Sequence, residues 1–278
     1  MGYELLWSDR IGKEQRKEER RKIADDVKAG KPPIAINLRI APEWGVIAGY
    51  LENGKEFLCR TYFDKAVFTA NRQGPEFLET MQKTGGYLSA DCWPFAIAHF
   101  GSKIERSAEK VIFINSLQAK IDSMAITERR GYLMGYHAYN AWIEGLLNDD
   151  FFENVSDKDV IRRLQVNDYQ LINLLDARRC AVQYLKDSTV LIEGNSAELL
   201  SQMTALYEEI VDKLSAFYHK LQNHPGVELK YMESGLIQSI ATSTKDLRKE
   251  EALLLSEILE LEYKSDVLAK EVLKNEAV

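Results

Sequence analysis

The amino-acid sequence predicts an α+β fold, an antiparallel sheet followed by a C-terminal helical bundle, and three observations predict it. Short alternating apolar segments, set off by Gly, Pro and an Asn-Gly pair, fill residues 1–105. From residue 106 onward the apolar residues recur every three to four positions, the period of helices. The stretch 131–147, GYLMGYHAYNAWIEGLL, sets Tyr132, Tyr136, Tyr139, Ile143 and Leu146 on one stripe. Gly131, Gly135, Ala138 and Gly145 leave room beside it for another backbone, so it reads as a buried helix wrapped by several neighbours. No flexible spacer separates 1–105 from 106–278, so the two parts are expected to share one core.

In chain order, an apolar segment at Tyr3 to Trp7 precedes a charged helix over 13–29, with Ile23, Ala24 and Val27 facing inward and Gly30 ending it. The basic residues from Arg16 to Lys22 alternate with Glu18 and Glu19, as on a solvated helix face. Pro32 and Pro33 lead into an alternating strand over 34–40, and Pro42 breaks it before the apolar run 46–50. Asn53-Gly54 supports positive φ and closes a tight hairpin onto 57–63. Ala66 to Thr69 adds a short edge strand, and Gly74-Pro75 starts a turn, a short helix and the Gly85-Gly86 hinge. Pro94 to Phe100 alternates as a strand, although Pro94 also suits the first residue of a helix.

The helical part begins with Ile114, Leu117, Ile121 and Met124 on one face. Ser156 and Asp159 form a capping-box signature, and the stripe Leu171, Leu174, Leu175, Val182 and Leu185 runs on to Asp187, with Asn167-Asp168 as a kink or split. Another amphipathic helix spans 196–221 and stops before His224-Pro225-Gly226. Leu247, Leu254, Ile258, Leu261, Leu268 and Val272 then recur at coiled-coil spacings, interrupted by Glu251 and Ser265. Over so short a length this seam reads as the last helix of a bundle, with a homodimer zipper through the same helix as the alternative.

Composition narrows the function classes. The 278 residues carry 36 Lys plus Arg against 43 Asp plus Glu, a formal net charge of −7, which argues against a nucleic-acid or anionic-membrane surface. Cys59, Cys92 and Cys180 are far apart, so neither a disulfide framework nor a thiolate metal site is expected, and no cofactor motif occurs. With no apolar signal core and no run long enough to cross a bilayer, a cytoplasmic location is expected.

Two blocks carry a resemblance. GKPPIAINLRIAPEWGVIAGY, with the hairpin and Phe63-Asp64 after it, resembles the second half of the bacterial papain-like domain of butirosin-biosynthesis acyltransferases and bacteriocin-processing peptidases. The segments 131–147 and 168–186, the latter with Ala177-Arg178-Arg179, resemble the helical continuation of members of that group. The resemblance implies an incomplete papain-like sheet, because the helix bearing the nucleophilic Cys would precede these strands. Papain-like chemistry also needs a His as base and an Asn or Asp to orient it. The position matching the His is Glu43, beside Trp44, and Asp64 fits the orienting position. A carboxylate walled by Trp44 can act as a base if burial raises its pKa, but Glu43 equally suits a strand-edge carboxylate held by backbone amides.

Other candidates are Cys92, a nucleophile if it opens a helix with His99 or His137 as partner, or else a buried free thiol. His137 is a ligand-binding candidate that also reads as a core histidine. Arg178 and Arg179 either pair with Glu144, Asp149 or Asp176 or recognise an anionic ligand group. The resulting expectation is a non-catalytic, papain-like binding or accessory protein in bacterial natural-product or peptide processing, holding an acyl or peptide ligand or a protein partner. A thiol-dependent acyltransferase or hydrolase and a purely helical interaction protein stay open as alternatives.

Overall fold

The structure, a computed structural model, describes residues 2–38, 44–61, 88–90, 93–223, 227–231, 237–241 and 244–276. The fold is α+β, an antiparallel sheet followed by C-terminal helices. The described residues up to Arg106 form one compact unit and those from Ser107 onward another. Each unit has its own cluster of buried hydrophobic residues.

In the first unit, strand β1 (Tyr3–Asp9) precedes helix α1 (Arg16–Lys28), which ends in Gly30 at φ +71°. Strands β2 (Ile34–Ile36), β3 (Trp44–Leu51), β4 (Glu56–Thr61), β5 (Leu88–Ser89) and β6 (Ala96–Lys103) complete a sheet of order β1-β6-β2-β3-β4-β5, every pair antiparallel. Strand alternation brings Ala35, Ile47, Cys59 and Ile97 into one buried cluster with Ile23 of α1. Gly45 is required at its position, since a Cβ there would lie 2.6 Å from the Arg60 carbonyl of the neighbouring strand.

Three expectations need correction here. Pairing of β3 with β4 ends at Leu51↔Glu56, so the hairpin loop is a 3-10 turn over Glu52–Gly54 with positive φ at Glu52 and Gly54, and Asn53-Gly54 is not a two-residue turn. The basic run is not a wholly solvated face: Arg20 stacks over Phe57 and Trp93, Arg16 over Trp93, and Arg20 Nη1 donates to the carbonyls of Gly54 and Lys55. Cation–π contact explains why arginine stands at the inward positions. The strand expected over 34–40 is β2, Ile34–Ile36. The expected edge strand at 66–69 and the turn, helix and hinge of 74–86 lie outside the described residues.

The second unit begins with α2 (Glu109–Ala125), followed by the small hairpin β7 (Glu128–Arg129) and β8 (Tyr132–Leu133), with Arg130 and Gly131 both at positive φ in its turn. Helix α3 (Gly135–Leu147) therefore starts four residues later than its apolar pattern suggests, and Tyr132, 75 % exposed, is not part of its buried stripe. Gly135 marks the start because at φ +51° its Cβ would fall 2.1 Å from the Met124 carbonyl oxygen. Tyr139 and Leu146 are the buried residues of α3.

Helix α4 (Asp157–Ser188) is continuous, so Asn167-Asp168 does not split it. Its N-cap matches the capping-box signature: Ser156 Oγ accepts the Asp159 N–H at 3.3 Å and donates to Asp159 Oδ2 at 2.6 Å. Ser156→Ala is expected to lower stability by about 1 kcal/mol in urea unfolding. Helix α5 (Gly194–Gln222), strands β9 (Val227–Tyr231) and β10 (Ile237–Ala241), and helix α6 (Lys245–Glu276) complete the unit. Leu247, Ile258, Leu261 and Val272 of the coiled-coil-like seam are buried among the chain's own helices. Helix α6 thus packs within the bundle through these four residues, while Leu254 and Leu268 of the seam are half-buried.

Candidate functional site

Several of the sequence-predicted site residues can be placed. Trp44 opens β3, is 45 % exposed, and meets Trp7 edge-on at 6.2 Å. Glu43, Asp64 and Cys92 lie outside the described residues. His137 is exposed on α3 rather than a core histidine. Arg179 is exposed and donates to Ser215 Oγ at 3.2 Å. Arg178 turns inward, but its partner is none of Glu144, Asp149 or Asp176: its Nε donates to Glu262 Oε1 at 2.5 Å. Asp149 instead receives Lys245 and Arg248.

Arg178 belongs to a polar centre inside the helical core. Glu262 is 0 % exposed and also accepts from Tyr207 OH at 3.2 Å, while Arg178 Nη2 donates to Tyr139 OH at 3.3 Å. One turn on, Asp266 accepts from Lys120 and Tyr136, and Lys120 Nζ lies 3.8 Å from Glu262. Burial first, and then the nearby carboxylates, push the Tyr136, Tyr139 and Tyr207 phenols well above their ordinary range. Two carboxylates thus face two cations with every hydroxyl engaged, an arrangement that holds helices in register rather than one that offers a vacant reactive group.

A second buried constellation lies under α1. His99, 1 % exposed, places Nδ1 2.5 Å from Asp26 Oδ2 and Nε2 2.7 Å from Glu19 Oε1, with Ser8 Oγ 3.4 Å from Nε2. Ser8, His99 and Asp26 have the order of a hydrolytic triad, but Glu19 occupies the place of the substrate-side lone pair. Each ring nitrogen of His99 is within hydrogen-bond distance of a carboxylate oxygen, at Nε2 closer than Ser8, and the cluster ties α1 to β6.

One arrangement able to take a ligand is a cavity of about 520 Å³ between α3 and α4. Its α3 wall is built on small residues, Ala138, Ala141 and Gly145, beside Trp142; Phe151 and Phe152 close one side. From α4, Arg162, Arg163, Asn167 and Gln170 supply polar groups. Arg163 stacks over Phe151 at 5.0 Å and donates to its carbonyl, which fixes that side of the cavity. Behind the wall stands Glu251 of α6, 4 % exposed. Trp142 Nε1 donates to Asn167 Oδ1 at 2.6 Å, and Asn167 Nδ2 donates to both Glu251 oxygens at 2.9 and 3.0 Å. Since an indole can only donate, it sets the amide the way round that Glu251 needs. Burial pushes the Glu251 carboxyl up to about 7, against the lowering effect of Asn167, and Asp168 adds to the rise.

None of Trp44, His137, Arg178 and Arg179 lines this cavity. The residues that do, and the carboxyl behind them, leave two marks in the sequence: Asn167-Asp168 in mid-helix and Glu251 interrupting an apolar seam. Each has the look of a helix defect, and each is a buried polar contact. Among the described residues no group of His, Cys, Asp and Glu is placed to hold a metal ion, and no helix is long and apolar enough to cross a membrane. No family model matches the chain, and no curated protein matches it.

Proposed function

We propose that this chain is a binding or accessory protein, akin to the bacterial papain-like acyltransferases and peptidases it resembles, that holds an acyl or peptide ligand in the cytoplasm rather than transforming it. The observation that carries the reading is the cavity between α3 and α4. Its volume of about 520 Å³ falls in the range of small-ligand sites, and aromatic walls with a few convergent polar groups suit an apolar body ending in a carboxylate or amide. Arg162, Arg163 and Gln170 would meet the polar end, while Trp142 and Phe151 would flank the apolar one. Glu43 in the place where the resemblance puts a His favours binding over thiol chemistry.

Dansylglycine, an aromatic acyl-like carboxylate, tests this. Its fluorescence is expected to rise saturably with protein, and Gly145→Leu is expected to weaken binding tenfold or more. A Cβ at Gly145 meets only Phe151 at 3.8 Å, so the new side chain enters the cavity, and the change improves helix propensity by roughly 1 kcal/mol. Absence of saturable binding, or binding that Gly145→Leu leaves unaltered, would end the reading.

A further inference from the structure

The cavity wall contains an ionisable group that binding itself does not require. Asn167 and Trp142 face the cavity, and Glu251 sits directly behind them on α6, joined by a hydrogen-bonded chain with no gap. A buried amide already satisfied by one carboxyl oxygen is common; one that spans both oxygens and is itself fixed by an indole is a rigid conductor of charge. When Glu251 is ionised it polarises the Asn167 amide, drawing its N–H groups back and making Oδ1 more negative. Asn167 lines the cavity beside Trp142, whose Nε1 donates to that Oδ1. A carboxylate docking there meets more repulsion than when Glu251 is protonated, attenuated by the solvent that reaches this open side of the helices.

We infer that Glu251 controls the affinity of this cavity for anionic ligands: its ionisation, passed through Asn167 and Trp142, weakens binding, so that a carboxylate ligand enters with uptake of a proton. The inference rests on the binding reading above and adds its regulation. The position of the Glu251 carboxyl near about 7 sets the window in which this operates. From α4, Asp168 faces it and reinforces its protonated form. On α6 itself, Arg248 is one turn back and turns to the Leu146 carbonyl, Asp149 and the Phe152 ring. From α5, Tyr218 is pushed up by burial and by the same Asp168, so it stays neutral throughout the window. On α3, His137 and Glu144 are exposed, and the Tyr136 and Tyr139 phenols, pushed up by burial and by Asp266 and Glu262, stay neutral throughout the window. Glu251 is thus the buried acid of this neighbourhood whose charge changes near neutrality.

Reciprocity makes the inference measurable, because a proton that favours the ligand must be favoured by it. The probe is dansylglycine, whose carboxylate is ionised across the range. For the intact chain its Kd is expected to rise about five- to tenfold between about pH 6 and about pH 8, as a unit charge several ångströms away in a partly shielded site should cause. Glu251→Gln is neutral and of the same shape, so it is expected to hold the tight affinity at both pH values, whereas His137→Gln should keep the wild-type profile. Calorimetry in two buffers of different ionisation enthalpy gives the second reading: proton uptake on binding near neutral pH in the wild type, and none in Glu251→Gln. A flat wild-type profile, the same slope in Glu251→Gln, or a profile abolished by His137→Gln would overturn the inference while leaving the cavity a binding site. No saturable binding at either pH would remove both.

Discussion

Replacing Arg178 with Leu is expected to destabilise the helical unit by about 3–5 kcal/mol, read as a shift in the urea midpoint. The loss is not that of a surface ion pair. Glu262 is 0 % exposed, and the guanidinium 2.5 Å away is its nearest cation; Lys120, at 3.8 Å, is shared with Asp266. Removing Arg178 leaves a carboxylate with a phenol and half a lysine in a core of Leu, Ile and Phe. Burial alone would lower the Arg178 pKa, yet Glu262 beside it holds it above the ordinary value, so the guanidinium enters the core charged. The companion variant, Arg178→Leu with Glu262→Leu, removes both charges and is expected to recover most of the loss. If the double variant is as unstable as the single one, the polar centre contributes by packing and not by charge pairing.

Replacing Glu251 with Gln is expected to act in the opposite sense, and only above acidic pH. The folded carboxyl sits at about 7, above its ordinary value of 4.5, because burial penalises its charge. The folded state therefore binds a proton that the unfolded chain has released between those values. The stability this proton contributes is complete below about pH 4.5 and is lost as pH rises through about 7. Glu251→Gln cannot lose it, and keeps the shape and an oxygen that accepts from Asn167, although its own amide nitrogen replaces the second acceptor. The variant should match the wild type in acid and exceed it at about pH 8 by roughly 3 kcal/mol at most. Chemical unfolding of both proteins across this range isolates the difference, since every other titrating group is common to the two. Parallel curves would show that Glu251 is ionised at no cost in the fold.

How much of this was legible in the sequence varies with the kind of contact. The capping residue Ser156, the helix stop at Gly30 and the strand over Ala96–Lys103 follow from local chemistry, and local chemistry decides them. The start of α3 does not: the stripe from Tyr132 to Leu146 is periodic throughout, and only the close approach of Gly135 to the Met124 carbonyl places the break. The partner of Arg178 was out of reach for the same reason. Acidic residues near it in sequence, such as Asp176, were natural choices, whereas Glu262 reaches it across the bundle from a helix 84 residues away. Glu251 and Ser265 were visible as interruptions of an apolar seam, but periodicity treats a buried polar residue as an error in a pattern. The cavity needs the joint placement of α3, α4 and the Phe151 turn, and no single window of sequence holds all three.

The central place of α6 has a consequence for how the protein is made. Its apolar and acidic residues complete the core begun by α2, α3 and α5, yet it is the last of these helices to leave the ribosome. Translation proceeds at 5–20 residues per second, so α2 to α5 wait on the order of ten seconds with Leu171, Met203, Tyr207 and Leu214 lacking their cover, and with Arg178 and Lys120 lacking their carboxylates. Until Glu262 and Asp266 arrive, those two cations have no carboxylate to meet inside the helical core.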